Sequence, residues 1–289
     1  MQRTEHPGRG DELQEILMPY FETTDGTRLA YEDYGTGRPV VFNASWTLNA
    51  DMWERQIPYI AERGYRCIAL DRRGHGRSER PSTGYDLDTT ADDLAALFEH
   101  LDLRDAVLVG HSMGGAEAAH YLARHGEDRV AKVAFVSATL PFLMRTDDNP
   151  GGVPEEILIA GVDDLRRDRA NWFTRQSQAF FATQLGNAIS PAAIEATIQQ
   201  TMSASPWATV KLMESLVRTD FRDGLRKITI PVLIIHGVAD FSANIDLTAR
   251  RTAELIPGRI YTEYPTAGHG LFLTHADELN DDLLEFIAG

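Results

Sequence analysis

A single cysteine, Cys67, stands in a chain of 289 residues, so no disulfide can form within it and nothing in the cysteine usage points to an oxidising compartment. No apolar run approaches the ~20 residues needed to cross a bilayer. The amino-terminal stretch MQRTEHPGRGDELQEILMPY also lacks the apolar core of a signal peptide, and a cytoplasmic location is expected. Positive charge is scarce. Lys and Arg number 28 against 43 Asp and Glu, a net charge of −15 that opposes binding to nucleic acid or to an anionic membrane and favours a small-molecule partner. Internal repeats, low-complexity segments and long linkers are missing. So are the metal-ligand spacing H-E-x-x-H and the dinucleotide fingerprint, and neither metal nor cofactor is expected. His111, His120 and His125 share a neighbourhood without any ligand spacing. A homo-oligomer stays open.

What the chain does have is enough apolar residue, 43%, for a core that needs no staples; a chain of this length buries roughly three quarters of its unfolded surface. Short apolar runs at 29–34, 40–43, 67–71, 106–110, 133–137, 232–236 and 260–264 read as strands. Amphipathic patterns at 51–64, 90–101, 113–126, 247–256 and 276–287 read as helices, with Gly64, Gly126 and Gly258 at their ends. Such alternation predicts an α/β fold around a mostly parallel sheet covered on both faces. Between about residues 140 and 223 the alternation stops. The segment is punctuated by NPGGVP at 149–154 and then turns helical, with Trp172, Phe173, Phe180, Phe181 and Trp207 spread through it. It reads as a helical cap embedded in a single domain, 1–289, over the carboxyl edge of the sheet. Its aromatic residues, with Leu140, Phe142, Leu143 and Met144 just before it, suit either an apolar substrate pocket or the cap's own core.

VLVGHSMGG, 107–115, carries the chemistry. Gly110-His111-Ser112-Met113-Gly114 follows a strand and opens a helix, which is the setting of a G-x-S-x-G nucleophile elbow. The turn would present the Ser112 hydroxyl and set the Met113 N–H at a helix start, where it can stabilise developing negative charge. A serine hydroxyl is a weak nucleophile and needs a base held by a carboxylate. Asp240 follows the run 232–236, with Asp220 the next candidate, and His269 sits between Gly268 and Gly270 after the last strand. The order Ser112, Asp240, His269 is that of α/β-hydrolases. Because the nucleophile is serine and not aspartate, haloalkane dehalogenase and epoxide hydrolase chemistry is not expected. The four arginines of DRRGHGRSERP, 71–81, are expected to pair with neighbouring carboxylates rather than with a ligand.

DRRGHGRS, GYDLDTTADDLAALFEHLDL, GHSMGG, LPFLMRTDDNPGGVP, TDFRDGLRKITIPVLIIHG and RRTAELIPG resemble the cofactor-free chloroperoxidase, aryl esterase and perhydrolase group of the α/β-hydrolases, from about residue 22 to the carboxyl terminus. The resemblance implies an eight-stranded, mostly parallel sheet flanked by helices, a helical cap inserted before the last two strands, and a catalytic triad at Ser112, Asp240 and His269. It also implies that the backbone N–H of Trp46 is the second oxyanion donor beside that of Met113. Members of the group carry His-Gly before that aromatic and often proline after it, whereas this chain reads Ala44-Ser45-Trp46-Thr47. The loss of glycine restricts the torsions at Ser45. Asn43 and Ser45 are the candidates to replace the lost histidine anchor, and without the proline neither perhydrolysis nor halogenation is the expected activity. Asn43-Ala44-Ser45 is also a glycosylation pattern, expected to stay unmodified. The expected activity is cleavage of carboxylic esters or lactones through an acyl-enzyme. A small-molecule receptor or low-activity scaffold on the same fold, and amidase or C–C hydrolase chemistry, remain as alternatives.

Overall fold

Val40, Val41 and Phe42 follow one another in sequence and are all fully buried, as in a strand with helices on both sides. The computed structural model describes residues 19–289, so the amino-terminal stretch considered for a signal peptide lies almost wholly outside the described residues. Its strands are β1 (Tyr20–Glu22), β2 (Arg28–Tyr34), β3 (Pro39–Asn43), β4 (Arg66–Leu70), β5 (Ala106–His111), β6 (Val130–Val136), β7 (Val232–Gly237) and β8 (Ile260–Tyr264). They form one eight-stranded sheet in the order β1-β2-β4-β3-β5-β6-β7-β8. β1 pairs antiparallel with β2 and β2 with β4, and every other neighbour is parallel.

The helices are α1 (Gln56–Ala61), α2 (Leu87–His100), α3 (Met113–His125), α4 (Glu155–Arg167), α5 (Arg169–Phe181), α6 (Pro191–Ser203), α7 (Pro206–Arg218), α8 (Arg222–Leu225), α9 (Ala249–Leu255), α10 (Leu271–Thr274) and α11 (Ala276–Ala288). The period of two along the strands sorts side chains between them. Val40, Phe42, Val107, Val109, Ala134 and Val136 join Ile57 and Ile60 of α1 and Leu279, Leu283 and Phe286 of α11. Val41, Leu108, Val133 and Phe135 join Leu94, Leu97 and Phe98 of α2, Ala116 and Ala119 of α3, and Ala249 and Ala253 of α9.

Helices α4 to α7 lie between β6 and β7, within the segment read as a cap. Two of them start at Ser-Pro pairs for a local reason: Ser190 and Ser205 accept the N–H of Ala193 and Ala208, and Pro191 and Pro206 take the first helical position, where no N–H is needed. The cap has a small core of its own in Val162, Leu165, Phe173 and Val210. Through Ala208, Leu212 and Leu216, α7 also enters the core of the sheet, which fixes the cap on that side. The helix expected at 51–64 is instead a 3₁₀ turn, Ala50–Trp53, followed by the short α1, with Pro58 tolerated as its third residue. β1, only three residues long, was not among the apolar runs and completes the eight strands that the resemblance implies.

Candidate active site

At the end of β5 the chain turns straight into α3, and Ser112 occupies the corner with φ 56° and ψ −119°. A side chain in that region is strained and persists only where its surroundings hold it. The two flanking glycines are required by contact: a Cβ on Gly110 would sit 2.4 Å from the Gly114 carbonyl oxygen, and one on Gly114 2.3 Å from that of Asn43. Met113 begins α3, so its N–H is one of those a helix leaves without an internal partner.

Asp240 lies three residues beyond β7 and His269 five beyond β8, at the same edge of the sheet as Ser112. The structure brings the three together. His269 Nδ1 is 2.6 Å from Asp240 Oδ2, and its Nε2 is 2.8 Å from Ser112 Oγ. Asp240 also accepts the N–H of Ala243 at 2.7 Å. Burial opposes charge on Asp240, but His269 and His236, with their hydrogen bonds, hold its carboxyl well below the usual range. An ionised carboxylate can only accept, so Nδ1 of His269 carries the proton and Nε2 is left to accept from Ser112. Asp220, the other candidate, is exposed and bound to Arg222.

Two buried histidines support this relay: His111, weighed above only for metal, and His236, which the sequence did not single out. His111 Nε2 donates to the carbonyl of His269 at 2.8 Å, and burial, together with the facing His269, pushes its pKa well down, so it is neutral. His236 Nε2 lies 2.7 Å from the Ala243 carbonyl and 3.3 Å from Asp240 Oδ2. The only available signal was position: His111 stands in the elbow motif and His236 at the end of β7. His120 and His125, weighed above for metal, instead reach Asp88 and Asp92 separately.

The loop after β3 runs beside the elbow. Its anchor is Arg72, not Asn43 or Ser45: the guanidinium donates to the carbonyls of Ala44 at 2.7 Å and Ser45 at 3.3 Å, and Glu117 of α3 holds it from the other side. Asn43 is buried with its Oδ1 unpartnered, and Ser45 donates only its backbone N–H, to Met52 Sδ. The left-handed residue is Thr47, φ 66°, rather than Ser45. Trp46 reaches the cap, donating Nε1 to the Thr209 carbonyl at 2.9 Å and packing edge-on against Trp172. Neither the Trp46 nor the Met113 N–H donates to another residue among those described. As expected of the arginine loop, Arg72 takes Glu117, Arg73 takes Asp93 and Asp25, and Arg77 takes Asp71 and Glu32, whereas Arg80 donates to the Ser203 carbonyl.

Ser112 and His269 open on a cavity of about 310 Å³ roofed by the cap. Leu143, Trp172, Phe173, Phe180 and Phe181 line it, and of these Trp172 and Phe173 also pack in the cap's own core. Trp207 is instead exposed, and Leu140 and Phe142 are buried in the body of the protein. Apart from His269, no ionisable side chain lines the cavity among the described residues.

A family model described as alpha/beta hydrolase fold matches residues 38–276. The chain belongs to this family and is an enzyme of the alpha/beta hydrolase class. Within it, the chain is 40% identical over 273 residues to a non-heme chloroperoxidase of Kitasatospora aureofaciens, covering 93% of this chain and 99% of that one. It is 36% identical over 274 residues to the bifunctional esterase/perhydrolase of Acinetobacter calcoaceticus, again covering 93% and 99%. Among solved structures it is similar to an esterase from Exiguobacterium antarcticum, with 32% identity and a TM-score of 0.89 over 94% of this chain and 100% of that one.

Proposed function

We propose that the protein hydrolyses neutral carboxylic esters or lactones with apolar substituents through an acyl-enzyme on Ser112. The observation that carries this reading is the unbroken relay from Asp240 through His269 to Ser112 at the floor of an uncharged cavity. His269 Nε2 takes the Ser112 proton as Oγ attacks the carbonyl carbon, and Asp240 keeps the ring in the tautomer that permits it. The N–H groups of Trp46 and Met113 receive the oxyanion. His269 then protonates the leaving alkoxide, and water, deprotonated by His269, releases the acid. With no Lys or Arg at the wall, a substrate carboxylate would find no counter-charge, so neutral esters are favoured over anionic ones. In this reading the described residues, 19–289, form one domain, and the segment at about 140–223 caps the site.

The test is a stopped-flow burst with an activated aryl ester. The burst should approach one product per active site and vanish in Ser112→Ala, with turnover falling about 10⁴-fold or more. Near-normal turnover in that variant would end the proposal.

A further inference from the structure

A second hydroxyl meets the nucleophile. Thr139, just beyond β6, is buried and lines the cavity, and its Oγ1 lies 3.3 Å from Ser112 Oγ. The backbone fixes that meeting, because the Thr139 N–H donates to the Ser112 carbonyl at 3.2 Å. Among the described residues, Thr139 Oγ1 has no other partner.

The direction of this contact follows from the relay. Asp240 fixes the proton of His269 on Nδ1, so Nε2 must accept, and the single hydrogen of Ser112 is spent on it. Ser112 Oγ can therefore only accept from Thr139. At 3.3 Å the contact is long for two hydroxyls, and it strengthens when negative charge gathers on Oγ.

We infer that Thr139 is a further catalytic residue, whose hydroxyl assists departure of Ser112 Oγ when the acyl-enzyme breaks down. This rests on the reading of Ser112 as nucleophile. In deacylation the bond between the acyl carbon and Oγ breaks, the bond electrons go to Oγ, and His269 returns the proton it took from water. The Thr139 O–H donates to Oγ as this charge builds. In the acyl-enzyme Oγ is an ester oxygen and a poor acceptor, so the hydrogen bond is weakest there. Thr139 thus favours the free enzyme over the acyl-enzyme: it speeds release of the acid more than it speeds acylation.

The experiment compares Thr139→Val, which keeps the shape, with Thr139→Ser, which keeps the hydroxyl, by burst and steady-state kinetics on an activated aryl ester. Valine should lower kcat by roughly 2- to 12-fold, the range of one net hydrogen bond, with KM falling as well and kcat/KM reduced less than kcat. The burst amplitude should rise or hold near one per site, and serine should restore wild-type kcat. Equal loss of kcat and kcat/KM in the valine variant, or no change in either, overturns the inference while leaving the Ser112 reading standing. A burst that survives Ser112→Ala would instead remove the reading on which it rests.

Discussion

Asp240 and Asp220 are both carboxylates ahead of the last strand, but only Asp240 touches His269; Asp220 is held at the surface by Arg222. Asp240→Asn should therefore lower kcat on an aryl ester about 10⁴-fold, by letting the ring take the wrong tautomer, while Asp220→Asn should stay close to wild type. The reverse ranking in steady-state assays would show that the carboxylate was misassigned. Ser112, Asp240 and His269 were legible in the sequence because each follows an apolar run and the elbow has a fixed spacing. His111 and His236 were not, since what they hold are mostly backbone carbonyls, those of His269 and Ala243, and a carbonyl leaves no mark in a sequence. Thr139 went unread for a related reason: its neighbour in space is 27 residues away in the chain.

Among elements, the loop from Ala44 to Thr47 has few internal hydrogen bonds and is shaped by what surrounds it. Arg72 holds two of its carbonyls and is itself held by Glu117. Arg72→Met should leave that carboxylate buried without its partner, at a cost of about 3–5 kcal/mol in urea unfolding. With the Trp46 N–H in its proposed role as an oxyanion donor, the change should also lower kcat, by less than the roughly 10²- to 10³-fold loss of a whole donor, because that N–H is displaced and not removed. Unchanged stability and kcat would show that the guanidinium is not the anchor. Seven strands were legible as apolar runs with turn residues at their ends. β1 was not, because a three-residue edge strand in which only Phe21 is buried has no run to read. The 51–64 pattern was apolar at helical spacing, but Ala50–Trp53 closes as a 3₁₀ turn capped by Asn49, which accepts the N–H of Asp51. Nor did sequence show that Trp46 would bridge to α7, since such a bond depends on how the cap sits.

For the molecule as a whole, acid should be destabilising well above the carboxylate range. Burial, and then the charge of Arg72, lowers His75 from 6.5 to about 3. As pH falls below 6.5, the unfolded chain binds a proton at this residue that the folded chain refuses, so the stability His75 contributes is present above 6.5 and lost on the way down. At pH 5 that loss is about 2 kcal/mol. In His75→Gln the fall in unfolding free energy between pH 7.5 and pH 5 should be smaller by that amount, whatever the variant's absolute stability; parallel pH profiles would show that His75 does not titrate in this way. The relay also has a consequence in time. Ser112 and His269 are 157 residues apart, and His269 follows the last strand of the sheet. At ~5–20 residues per second, a ribosome takes about 8–30 s to travel from one to the other. If Ser112 and His269 act as proposed, the growing chain has its nucleophile but no base throughout that interval, and esters in its surroundings are safe from it until the eighth strand has docked.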